Sequence, residues 1–137
     1  MAVIEELIRS EADGSLSFGN FNLDAKSKKS DFEHGGDTYK VKTFKEITRL
    51  ERNELFVYES VPGTVVNNLA VTENGITFLV EGKEDAQITL ELEPGCEYDI
   101  KVDGNDEGQM KTNLGGKLSL SVELEEGKDV SVEVTKA

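Results

Sequence analysis

The chain has 137 residues, 36% hydrophobic and 31% charged, and its 28 acidic side chains against 15 basic ones leave a formal charge of −13. That length serves one ordinary domain, or a sandwich with a small appended lobe, and the charge repels phosphate backbones and anionic lipid, which sets nucleic acid and membranes aside as partners. No run approaches the roughly 18 apolar residues of a membrane span, Glu5 and Glu6 stand where a secretory signal needs a basic start and an apolar run, and a lone Cys96 cannot form an intramolecular disulfide; together these fit a cytoplasmic protein.

In chain order, residues 2–9 read as a short helix or an edge strand. Strands are expected at 15–21, 38–43 and 55–60, while residues 44–52 fit either helix or strand. His34, the one histidine, falls in the turn Glu33-His34-Gly35-Gly36-Asp37 and reads as an exposed loop residue, since zinc would need three or four ligands and a general base would need a reacting group beside it. Lys40 and Lys42 share one face of a strand opposite Tyr39 and Val41, and with Lys45, Arg49 and Arg52 they form a basic stretch in an acidic protein. This stretch is either a solvated face or a dock for the acidic C-terminal part of a neighbouring copy. Leu55-Phe56-Val57-Tyr58 is apolar on both strand faces, as in a central strand covered on both sides or a subunit interface.

Beyond residue 64 the period of two is regular. Ile76, Phe78 and Val80, then Ile88, Leu90 and Leu92, then Tyr98, Ile100 and Val102 alternate with polar or small residues, as do Leu118 to Leu124 and Val130 to Val134. With 65–71 and 109–113 added, about seven strands are expected here. Asn74-Gly75 is expected at the centre of a type I′ turn that pairs Leu69-Ala70-Val71 with Ile76-Thr77-Phe78. Asp103-Gly-Asn-Asp-Glu-Gly108 imitates the opening of an EF-hand loop, but its twelfth position is Leu114 in place of the closing glutamate; a hairpin turn between strands is the better reading. A Cys96–His34 dyad lacks any orienting third group in the sequence.

Composition divides the chain as well: residues 1–64 hold 9 bases and 12 acids with seven of the nine aromatics, and residues 65–137 hold 6 bases and 16 acids. The reading is an all-β protein, an antiparallel β-sandwich at 65–137 with a smaller N-terminal β lobe at 1–64, with or without a short helix.

The run Leu92-Glu-Pro-Gly-Cys-Glu-Tyr98-Asp-Ile-Lys-Val102 resembles the passage between strands E and F of fibronectin type III and immunoglobulin-like domains, with Tyr98 at their tyrosine corner. The resemblance spans at most about seventy residues and implies a structural role for Tyr98, a hydroxyl bonded back to the main chain. The absent tryptophan departs from it. The whole chain is also similar to small proteins of anaerobic Gram-positive bacteria, some described as endosialidases, through stretches including Lys40-Val-Lys-Thr-Phe-Lys-Glu-Ile-Thr48 and Val57-Tyr-Glu-Ser-Val-Pro-Gly-Thr64. Sialidase chemistry would need a cationic cluster for the substrate carboxylate, and the chain has only Arg9, Arg49 and Arg52 as arginines.

The functional expectation is therefore a non-enzymatic binding or self-assembly protein acting through its surface on a protein partner or a second copy, without metal or cofactor. Its contact residues are Lys40, Lys42, Arg49, Phe56 and Tyr58. A carbohydrate-binding module, and after it a small glycan hydrolase, are the alternatives.

Overall fold

A computed structural model describes residues 3–137. The described residues form thirteen strands and no helix: β1 (Ile8–Ser10), β2 (Leu16–Phe18), β3 (Ser27–His34), β4 (Asp37–Phe44), β5 (Ile47–Arg52), β6 (Leu55–Val61), β7 (Val65–Thr72), β8 (Gly75–Glu81), β9 (Ala86–Glu91), β10 (Glu97–Val102), β11 (Asn105–Lys111), β12 (Lys117–Val122) and β13 (Val130–Lys136). A seven-stranded sheet runs β1-β2-β7-β8-β13-β10-β11 and a six-stranded sheet runs β12-β9-β6-β5-β4-β3. Every pairing is antiparallel, and the two sheets close on one core as a β-sandwich.

Alternation builds that core. Ile88 and Leu90 of β9, Leu118, Leu120 and Val122 of β12, and Val130, Val132 and Val134 of β13 all point inward, while Ser119, Ser121 and Glu133 face water. Residues before and after position 64 share both sheets: β2 pairs with β7 and β6 with β9, and one core cluster joins Phe18, Leu50 and Tyr58 to Phe78, Ile100 and Val132. Tyr58 lies between Phe18 and Phe78, edge to face with both, at centroid distances of 5.4 and 5.6 Å.

Five buried hydroxyl groups thread the core. Asn20 N–H donates to Thr43 Oγ1 at 2.9 Å, Thr43 and Thr48 hydroxyls are bonded at 2.8 Å, and Thr48 Oγ1 donates to the Thr64 carbonyl at 2.8 Å while accepting from Thr64 N–H at 3.1 Å. Thr64 Oγ1 in turn bonds Tyr58 and Ser60, each at 2.8 Å. Burial raises the Tyr58 phenol well above its ordinary pKa, so it stays neutral.

Several expectations take a different form. In residues 2–9, of which residue 2 lies outside the described residues, Glu5 and Glu6 sit in a turn and only the short edge strand β1 follows. Residues 44–52 resolve as the end of β4, a turn and β5. The hairpin β7–β8 forms, with Val71 opposite Ile76, but Thr72 pairs with Gly75, so Glu73 and Asn74 occupy the turn in place of Asn74-Gly75. Gly75 begins β8 with φ +154°, and a Cβ there would overlap the Val134 carbonyl of β13. The glycine serves a close strand approach. The apolar run of β6 is explained by a bulge: Leu50 faces Tyr58 and Glu51 faces Phe56, so the unpaired Val57 turns inward beside Tyr58. No covering layer on the outer face is needed.

Tyr98 makes the backward bond implied by its resemblance, its hydroxyl accepting from Glu93 N–H at 3.1 Å. The thirteen strands exceed the seven to nine of immunoglobulin sandwiches.

Candidate functional site: a cationic face on the six-stranded sheet

Cross-strand register places Lys28 of β3 directly opposite Lys42 of β4, Lys42 opposite Arg49 of β5, and Arg49 opposite Glu59 of β6. Residues directly opposite share a face, so three cations stand in one row on the solvent side. Two residues along β4, Lys40 is opposite Glu51. Lys28, Lys40, Lys42, Arg49 and Glu51 surround a shallow basin of about 160 Å³.

The charges are unevenly satisfied. Arg49 takes both carboxylates, its Nε 3.3 Å from Glu51 Oε2 and its Nη1 3.5 Å from Glu59 Oε2. Lys28, Lys40 and Lys42 make no ion pair among the described residues. Lys42 is half-buried, and its pKa is lowered by that burial first, then by Lys26, Arg49 and Lys28.

Phe56 lies on the same face, half-buried under two cations: the Arg49 guanidinium is 5.2 Å and Lys117 Nζ 4.7 Å from its ring centroid. Lys117 is also 3.0 Å from Glu91 Oε1. Lys40, Lys42, Arg49 and Phe56 therefore form one surface. Tyr58 does not belong to it, because the bulge at Val57 sends it fully into the core. Lys28 and Lys26 do belong near it but lie in or beside β3, whose sequence Ser-Lys-Lys-Ser-Asp-Phe-Glu-His has no apolar alternation. The signal that could have found them was the second lysine-rich segment a hairpin turn upstream of Lys40.

A patch of opposite sign lies across the sandwich. Asp85, Asp103, Glu107, Glu123 and Glu125, with Lys128, line an open cleft of about 600 Å³ where the edge strands β11 and β12 meet the β12–β13 loop. Two of these acids anchor backbone: Asp85 Oδ1 accepts from Leu124 N–H at 3.1 Å and Asp103 Oδ1 from Ser131 N–H at 3.0 Å. The EF-hand-like segment is a hairpin, Val102 pairing with Asn105 around Asp103 and Gly104 at φ +52° and +79°, the geometry of a type I′ turn. Among the described residues no three His, Cys, Asp or Glu side chains converge as metal ligands.

His34 is half-buried at the end of β3 and does not float in a loop. Its Nδ1 is 2.7 Å from Ser10 Oγ and its Nε2 3.0 Å from the Gly14 carbonyl. Since a carbonyl only accepts, Nε2 carries a proton toward Gly14, and the Ser10 hydroxyl is the partner of Nδ1. Cys96 is half-buried, with Sγ 3.6 Å from the Pro94 carbonyl and its N–H bonded to Thr112 Oγ1.

What fold and surface define is an all-β sandwich with a cationic sheet face and an acidic cleft at its other edge. No family model, curated protein or solved structure matches the chain.

Proposed function

We propose that this chain is a non-enzymatic binding and self-assembly protein in which the cationic face of one copy docks on the acidic cleft of the next. The observation that carries this reading is the placement of the charges: the cations lie on β3, β4 and β5 at one edge of the six-stranded sheet, and the cleft opens beside β12 at the other. Two different patches at opposite edges suit a head-to-tail contact, which propagates unless its rotation closes a ring. A sugar-binding face would instead offer exposed rings for stacking. Here all nine aromatic side chains are buried or half-buried.

The test is solution mass by light scattering at about 50 mM and about 500 mM salt, conditions that shorten the Debye length from about 14 Å to about 4 Å. A multimer at low salt that dissociates at high salt is expected. A monomer mass in both conditions overturns self-assembly.

A further inference from the structure

We infer that the basin between Lys28, Lys40, Lys42 and Arg49 binds a compact tetrahedral oxyanion, a phosphate group either free or at the end of a monoester. Register makes the case first. Like charges directly opposite one another destabilise a sheet, yet Lys28, Lys42 and Arg49 stand in consecutive opposite positions on three neighbouring strands. The ion pairs with Glu51, which also lines the basin, and with Glu59 are made by Arg49, and Lys42 feels Glu59 only at longer range. Three lysine ammoniums around the basin are thus left without an ionic partner, each with three donors to give. They project from adjacent paired strands, so their spacing is held by backbone hydrogen bonds and not by a loop.

The rest of the molecule decides the class of anion. With a net charge of −13, the far field opposes any extended polyanion, whose remaining charges would lie against acidic surface. A single dianionic group feels mainly the cations within about 10 Å, the screening length at about 0.1 M salt. The basin of about 160 Å³ has room for such a group. The Lys42 pKa is lowered first by burial and then by the neighbouring cations Lys26, Arg49 and Lys28.

This inference shares its residues with the docking reading but does not depend on docking; a bound phosphate would compete with the carboxylates of a second copy. The experiment is an NMR titration of the lysine Nζ groups, at fixed ionic strength of about 150 mM, with inorganic phosphate, with phosphoserine, and with chloride as reference. Expected are saturable shifts at Lys28, Lys40 and Lys42 with either phosphate probe and a rise in the Lys42 pKa, the tighter probe identifying the source. Lys28→Gln and Lys42→Gln are each expected to weaken binding about tenfold, whereas Lys101→Gln on β10 leaves it unchanged. Both glutamine substitutions remove repulsion on a solvent face, so loss of fold does not confuse the result. Phosphate shifts no larger than those of chloride, or equal affinity in the Lys28→Gln/Lys42→Gln protein, overturn the inference. Phosphate binding by a protein that scatters as a monomer at all salt concentrations would sink the docking reading and leave this one standing; a salt-sensitive multimer indifferent to phosphate would do the reverse.

Discussion

At the scale of single residues, Thr64 carries an unusual share of the core's polar bonding: its N–H, carbonyl and hydroxyl tie Thr48, Tyr58 and Ser60 together, all fully buried. Thr64→Val keeps the volume but leaves the Tyr58 and Ser60 hydroxyls to satisfy each other, and a buried donor or acceptor without a partner costs about 1–3 kcal/mol. Urea unfolding is expected to show a loss in that range; no change in midpoint would mean that the hydroxyls re-pair. Lys42 offers a test of opposite sign. Because its folded pKa is lowered, its charged form is disfavoured in the native state, so stability rises as pH climbs from the folded value towards the unfolded value of about 10.5. Lys42→Met is therefore expected to stabilise the protein at pH 7 in low salt, with the gain shrinking towards alkaline pH and in high salt, as followed by thermal unfolding. Of these residues the sequence exposes Lys42 as a surface cation through its alternation with Val41 and Thr43. Tyr58 is misread because period-two logic assigns neighbours to opposite faces, and a bulge suspends that rule for Val57 and Tyr58.

Between the residue and the whole, the elements record where local patterning suffices. The strands β8, β9, β10, β12 and β13 are legible because each alternates apolar and polar residues between turn-forming residues, whereas the exposed β11 has no such alternation and forms at Asn105–Lys111 where 109–113 was expected. β3 escapes because it is an edge strand with little to bury: only Phe32 packs on the core, and a bulge at Ser30 and Asp31 shifts its register. Besides its ladder with β4, it is tied to the other sheet through His34, bonded to Ser10 and Gly14. His34→Ala removes both links, and a loss of about 1 kcal/mol is expected, together with faster amide exchange in β1 and β3 but not in β8 or β13. Gly75 shows what a turn dipeptide conceals. The sequence Asn74-Gly75 suggests positive φ in the turn, whereas the structure uses the missing side chain for the approach of β13. Gly75→Ala must displace the Val134 carbonyl, while Gly14→Ala, also at positive φ, meets open space. The first is expected to lower the unfolding midpoint far more than the second, and equal effects would show strain from φ alone.

For the molecule as a whole, the cationic face was half legible: Lys40, Lys42 and Arg49 could be grouped from neighbouring segments, but Lys28 joins them only through the β3–β4 pairing, and the acidic cleft assembles residues from 85 to 128. A head-to-tail contact between the two patches makes a sharp prediction about mixtures. A copy with Lys42→Gln and Arg49→Gln keeps its cleft, and one with Glu107→Gln and Glu123→Gln keeps its face; each alone is expected to scatter as a monomer. Mixed at low salt they should form pairs and nothing larger, since every pair ends in two disabled patches. Larger species in the mixture would indicate another interface. The strand order of the seven-stranded sheet also bears on how the protein is made. Of the described strands of this sheet β13 is made after all the others, yet it lies between β8 and β10. Until residues 130–136 emerge, β8 and β10 each present a bare row of amides and carbonyls, and the sheet exists as two separate pieces. The nascent chain must therefore hold two open edges apart until residues 130–136 slide between them, and through that interval the sandwich is most exposed to pairing with a neighbour.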